Sequence, residues 1–200
     1  MTINFLNTSN EEPIIRLQDL YGSAIMHGQL NVESIFISSF SHSSQEVNSR
    51  IVNLKSIIGD EFIFFSNYDS PKSIEFKEQS KISAILFWNT INVQIRMKAA
   101  IKRTSPEFNK RYFKERSLKK NALAISSNQS QEIESYEAVI QNYDKCIKND
   151  DLKKCPDNWG GFSFVPYYYE FWEGRKHRIN KRTAFTKNIN NTWTSSFLQP

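Results

Sequence analysis

Eight strand-like runs recur along this 200-residue chain against three or four helical segments, and that ratio favours a β-barrel core with helices outside it. The first run is "ESIFISSFS" (33–41). "SRIVNLKSI" (49–57) and "EFIFFSN" (61–67), divided by a Gly59-Asp60 turn, read as the two strands of a hairpin. "KISAILFWN" (81–89) and "NVQIRMKAAIKRT" (92–104) read as two long, adjacent strands. After the polar segment "KNDDLKKCPDN" (148–158), strands resume with "GGFSFVPYYYEFW", "HRINKRTAF" and "TWTSSFL". An Asn-rich turn at 188–191 separates the last two.

Helices fit between these runs. Ile14, Leu17, Tyr21 and Ala24 fall at helical spacing, which predicts a helix over about 13–26 packed on the barrel. Ser70-Pro71 and Ser105-Pro106 each offer an N-cap followed by a proline where no N–H is needed. A further helix is predicted from about Ser130 to Ile147. Ile133, Tyr136, Ile140, Tyr143 and Ile147 would form one apolar stripe on it, packed against a sheet or a partner subunit. The fold class is mainly β with peripheral helices, in a single domain spanning 1–200.

Composition narrows the function classes. Hydrophobic residues at 39% and aromatics at 14% argue against disorder. No uninterrupted apolar run of about 18 residues occurs, and no basic N-region precedes an apolar stretch, so a soluble, cytoplasmic protein is expected. Cys146 and Cys155 fit no metal or redox spacing, and His27, His42 and His177 are scattered, so no metal site is expected. The net charge of +5 suits nucleic acid or phosphorylated small molecules. Because the cations are dispersed along strands and no nucleic-acid motif is present, the second class is preferred.

No phosphate-cradling glycine loop, Gly-x-Ser-x-Gly elbow or His-Glu-x-x-His appears. Instead, long polar side chains sit inside or beside apolar strands. Arg50 and Lys55 bracket "IVNL", Gln94 and Arg96 share one strand face, Lys72 opens a helix, and Tyr112 and Arg116 lie four apart on another. With few acids nearby to pair them, phosphate groups are the natural partners. "EFWEGRKHRINKR" (170–182) is the densest case. In a regular strand Arg178, Asn180 and Arg182 would share a face and Lys181 would point away, while Arg175 and Lys176 read as solvated turn residues. Arg50 and Lys55 are an odd number apart, so they serve one site only around a strand end or a bulge.

The segments "SRIVNLK", "FIFFSNYDSPK", "NVQIR", "YFKER", "ISSNQS", "WGGF", "EFWEG", "RINKR" and "FLQP" occur in an order and spacing that resembles the pyridoxamine 5′-phosphate oxidase family. The resemblance spans roughly Ser49 to Pro200 and implies an FMN-binding split β-barrel, homodimeric, with FMN at the subunit interface. Carried over by position, FMN contacts would be Arg50, Lys55, Ser66, Lys72, Gln94, Gln129, Ser130, Trp172 and Arg182. Lys55, Tyr112 and Arg116, with Lys120, would hold the substrate phosphate, and Arg178 and Asn180 would lie at the reacting end. The implied reaction takes a hydride from C4′ of pyridoxamine or pyridoxine phosphate, a phosphorylated B6 vitamer. Molecular oxygen is then reduced to hydrogen peroxide. The chain also departs from the family pattern. Pro71 replaces a phosphate arginine, Lys120 a serine, Ile125 a tryptophan, and Asn180 a histidine. Asparagine cannot exchange a proton near neutral pH. Two alternatives therefore stand beside the main reading: a related flavin oxidase for another aromatic, such as a phenazine precursor, and a non-catalytic FMN- or pyridoxal-phosphate-binding protein.

Overall fold

In a computed structural model that describes residues 2–200, the strands join into one continuous mixed sheet whose spine is β8 (Trp159–Glu173). Along one edge of β8 runs β7 (Val93–Arg103), antiparallel. The other edge is shared. β5 (Glu61–Asn67) takes residues 159–164, and β9 (Lys181–Lys187) takes 168–173. The sheet therefore forks at β8. One arm continues through β4 (Ser56–Ile58) to β1 (Asn4–Leu6), which joins in parallel; the other ends in β10 (Trp193–Leu198). Beyond β7 lie β6 (Lys81–Trp88), β2 (Ser34–Ser41) and β3 (Glu46–Asn53). The helices are peripheral: α1 (Glu12–Met26), α2 (Pro71–Glu78), α3 (Pro106–Glu115), α4 (Leu118–Ser126) and α5 (Tyr136–Asn149). Among the described residues, no helix is long and apolar enough to cross a membrane.

Alternation builds the core. On β7, Val93, Ile95, Met97, Ala99 and Ile101 are buried while the residues between them face outward. β8 needs a correction midway. Pro166 pairs with Ala99 and Tyr168 with Lys98, so Tyr167 is the extra residue of a bulge. Proline lacks the N–H of a regular ladder, and a bulge is where it is tolerated. The insertion reverses the inward parity, so Phe162 and Phe164 before it and Tyr169 and Phe171 after it all reach the same core.

Four expectations are corrected here. The hairpin about Gly59-Asp60 forms, but only Ser56–Ile58 of "SRIVNLKSI" belongs to it. The segment breaks at Leu54-Lys55, the first half pairing with β2 and the second with β5. The Leu54 N–H donates to the Glu33 carbonyl and the Lys55 N–H to that of Ile63, so the ladder partner changes between adjacent residues. The predicted 130–147 helix begins only at Tyr136, capped by the Ser135 hydroxyl, which accepts from the Ala138 N–H. It packs on α4, the Cys146 thiol meeting the Ala122 carbonyl, and leaves Tyr136, Ile140 and Ile147 exposed. "HRINKRTAF" becomes a strand only from Lys181, because His177 and Arg178 adopt left-handed φ of 57° and 62°. Ser70 precedes α2 as expected, yet its hydroxyl donates to the Asn67 carbonyl rather than capping. By contrast, Ser105 caps α3 by accepting from the Phe108 N–H.

Leu54 is fully buried at the point where the chain changes partners. Leu54→Ala should destabilise the fold by about 2–5 kcal/mol, read as a lower urea midpoint.

Candidate functional site

The break at Leu54-Lys55 delivers Lys55 to a cavity of about 630 Å³ bounded by strands, α3 and α4. Ser66 at the end of β5 and Lys72 in the first turn of α2 line it as well. So do Tyr112 of α3, Arg116 at that helix's C-terminus, Lys120 of α4 and, from the loop beyond, Gln129. One aromatic stack runs through this wall. The Phe65 ring lies 3.8 Å from that of Tyr112 and 5.1 Å from that of Trp159, each pair within 8° of parallel, and the Arg116 guanidinium sits 4.4 Å over Trp159.

The cations here are held against their preference. The Lys72 ammonium is buried, donating to Ser66 Oγ at 3.1 Å, Ser70 Oγ at 3.0 Å and Gln129 Oε1 at 3.3 Å. Burial, and secondarily the charge of Arg50, bring its pKa down to about 8, with Glu75 opposing. Burial also lowers Lys55, followed by Lys120, with Glu33 opposing and Arg116 adding to the depression. Arg116 is lowered by burial, and its Nη1 is a buried donor without a hydrogen-bond partner among the described residues. Among the described residues, Glu115 is the one carboxylate lining the cavity. Such a set can receive a compact dianion and an aromatic ring beside it.

Arg50 stands apart. Its Nη2 donates to Glu75 Oε2 at 2.8 Å and its Nη1 to Ser39 Oγ at 2.5 Å. Burial raises the Glu75 carboxyl, but hydrogen bonds from Ser39, Arg50 and Asn48 outweigh it and hold the group low. Ser130 is exposed at a left-handed φ of 69° and does not line the cavity.

The remaining expected residues form a second group on the outer face of the sheet. Gln94, Trp172 and Arg182 stand in register across β7, β8 and β9, and none lines the cavity. Arg182 Nε donates to Glu170 Oε1 at 2.9 Å, and Arg96 donates to the other oxygen of that carboxylate. Glu170 repeats the pattern of Glu75, raised by burial and held low overall by its arginine partners. The expectation of too few acids is thus overturned for Arg50, Arg96 and Arg182. Glu75 and Glu170 were missed, although Glu170 lies two residues before Trp172 on the same strand face.

Arg178 and Asn180 occupy the hairpin before β9, so strand parity does not apply to them. Asn180 Oδ1 accepts the Arg175 N–H at 3.1 Å, and Arg178 is exposed. Arg175 is indeed exposed, paired to Glu173, and Lys181 lies 3.8 Å from that carboxylate.

A forked mixed sheet with five peripheral helices among the described residues is a split β-barrel. In fold it matches PhzG from Burkholderia lata 383, solved with tetrahydrophenazine-1-carboxylic acid, at TM-score 0.87 and 24% identity over 95% of this chain and 93% of that one. It also matches a pyridoxamine 5′-phosphate oxidase-related, FMN binding protein from Nostoc punctiforme PCC 73102, at TM-score 0.73 and 11% identity over 92% and 96%. Residues 159–200 match the family description "Pyridoxine 5′-phosphate oxidase C-terminal dimerisation region". Pyridoxine/pyridoxamine 5′-phosphate oxidase of Coxiella burnetii is 32% identical over 94% of this chain and 96% of its own length. For pyridoxine/pyridoxamine 5′-phosphate oxidase 1 of Hydrogenovibrio crunogenus the figures are 30%, 94% and 88%. The chain belongs to the pyridoxine/pyridoxamine 5′-phosphate oxidase family.

The depressed Lys72 gives a signed pH dependence. Between about 8 and the ordinary 10.5, the unfolded chain binds the proton that the folded one has released. Raising pH through that window therefore stabilises the anion-free fold and weakens anion binding. Inorganic phosphate, titrated through the fluorescence of Trp159, should bind progressively less well as pH rises past about 8, and Lys72→Met should flatten that slope.

Proposed function

We propose that this protein is an FMN-dependent oxidase converting pyridoxamine or pyridoxine 5′-phosphate to pyridoxal 5′-phosphate with release of hydrogen peroxide. One observation carries the reading: Lys55, Lys72, Arg116 and Lys120 converge on one cavity beside an aromatic stack, with Lys72 buried and the Nη1 of Arg116 without a hydrogen-bond partner among the described residues. An orphaned buried guanidinium nitrogen is costly unless an anion meets it.

The residues fit FMN. Lys72, Ser66 and Gln129 already share hydrogen bonds and would re-aim them at a phosphate; Lys55 would bridge toward the substrate. Tyr112, Arg116 and Lys120 would hold the substrate phosphate, Arg by paired hydrogen bonds and Lys as a point charge. Arg50 would act mainly by its charge on Lys72, because Glu75 holds its guanidinium. The chemistry the flavin supplies when bound is hydride uptake from C4′ and delivery of two electrons to oxygen. The protein's part is orientation and positive charge.

Two groups of expected contacts, separate on one chain, would meet across a homodimer. Phe36, Ile51 and Phe87 are 44%, 56% and 48% exposed on the outer face of the sheet, and Phe87 is the register partner of Gln94. That apolar strip runs into the Gln94–Trp172–Arg182 row, the last two members of which lie within the matched dimerisation region. A second copy laid on this face would bring Gln94, Trp172 and Arg182 to its neighbour's cavity.

A flavin oxidase for a different aromatic is the second reading. Asn180, its Oδ1 taken by a backbone N–H, offers no exchangeable proton near neutral pH where the family pattern has histidine.

Purified protein incubated with FMN should retain a flavin absorption spectrum and release peroxide with pyridoxine phosphate. Arg116→Met should raise KM roughly 10- to 100-fold with flavin retention unchanged, the effect of one lost charged hydrogen-bonding group. Failure to take up FMN would sink both readings, whereas flavin uptake without turnover of either B6 phosphate would favour the second or a binding-only protein.

A further inference from the structure

We propose that Glu173 and Arg16 form a brace through which the N-terminal helix α1 fixes the hairpin at 174–180, making both positioning residues for Arg178. The inference rests on the proposed function and on the family resemblance that would place Arg178 at the reacting end of the substrate.

The hairpin is electrostatically awkward. Arg175, Lys176, Arg178, Lys181 and Arg182 crowd onto a single turn, and like charges push it open. Arg182 is satisfied by Glu170 on β8. Glu173, the last residue of β8, answers several of the others. Its Oε2 takes Arg175 at 2.8 Å, while its Oε1 takes Arg16 at 2.6 Å and lies 3.8 Å from Lys181. One carboxylate oxygen thus faces the hairpin arginine and the other ties back to α1.

Arg16 is a firm anchor for this tie. It sits between the buried Ile14 and Leu17, which fix α1 to the core, and its guanidinium lies 4.8 Å over the buried Phe171 ring. Its side chain and that of Glu173 are only 21% and 18% exposed, so solvent screens the pair less than an open surface bridge.

The rest of the hairpin base is equally fixed. The Gly174 N–H donates to the Asn92 carbonyl at 2.9 Å, and a Cβ on Gly174 would fall 1.9 Å from the Asn92 side-chain nitrogen. Asn180 Oδ1 closes the turn on the Arg175 N–H. The tip differs. His177 and Arg178 hold left-handed backbone conformations, which cost non-glycine residues free energy unless their surroundings impose them. A braced base below a strained tip sets the direction in which Arg178 is presented. Asn180 belongs to the brace: its side chain shapes the turn.

The test uses full-length wild type, Arg16→Met, Glu173→Gln and the conservative Arg16→Lys. Trypsin supplies a readout independent of catalysis, since Arg175, Lys176 and Arg178 are its sites. Without added FMN, Arg16→Met and Glu173→Gln should be nicked in the hairpin about fivefold faster than wild type, by mass spectrometry, with Arg16→Lys close to wild type. In turnover of pyridoxine phosphate, the same two variants should lose about fivefold in kcat with a smaller change in KM, flavin retention intact, and Arg16→Lys should restore the rate. Unchanged nicking in both variants overturns the brace, and so does accelerated nicking with kcat unaltered in an active enzyme. A wild type that shows no turnover fails the function proposed above, and the nicking comparison then decides the brace alone.

Discussion

A fifteen-residue strand that contains a proline cannot keep one face to the core throughout, and the organisation of this protein follows from how β8 resolves that constraint. The bulge at Pro166-Tyr167 lets aromatic residues of opposite parity enter one core. It also turns Glu170 and Trp172 outward, beside Arg96 and Gln94, where β9 can add Arg182. Without the extra residue, Tyr169 and Phe171 would turn to solvent and the Glu170 carboxylate would turn into hydrocarbon with the same flip. The fork depends on the same strand, since β5 leaves the edge that β9 takes up.

The positive charge falls into two populations. Arg50, Arg96, Arg182 and Arg16 each contact a carboxylate of low exposure: Glu75, Glu170 twice and Glu173. Such pairs offset the cost of desolvating their own members and fix strand register and hairpin shape more than they add net stability. Lys55, Lys72, Arg116 and Lys120 instead line one cavity; burial lowers the first three, and neighbouring positive charge adds to the depression of Lys55 and Lys72. The first population organises the sheet and the second lines the cavity.

Much of this was legible in the sequence. Alternation along "NVQIRMKAAIKRT" put Gln94 and Arg96 on one face, and the ordered motifs pointed to Lys55, Ser66, Lys72, Tyr112, Arg116, Lys120 and Gln129, which do meet in one cavity. The odd spacing of Arg50 and Lys55 signalled an interruption, and the chain does change partner at Leu54-Lys55. Parity failed for Arg178 and Asn180 because left-handed residues end the regular strand, and periodicity carries no sign of that. The stripe on α5 was expected to pack on a sheet or a partner subunit; within this chain Tyr136, Ile140 and Ile147 are exposed, and Cys146 meets the Ala122 carbonyl of α4. The nine-residue α4 was missed because a short segment with exposed Leu118 and Leu123 presents no clean apolar face. Pairings such as Arg16 with Glu173 join opposite ends of the chain, and no local pattern encodes them.

The fork at β8 also dictates when the protein can fold. Phe62 waits for Phe164, and Ile101 pairs with that same residue, so β5 and β7 each keep an unpaired edge until the chain has been synthesised well past α5. Long-range pairing of this kind gives a high contact order, and collapse must await a late strand. Nascent chains that stop short of β8 expose hydrogen-bonding edges to one another, which makes premature termination an aggregation hazard for this fold.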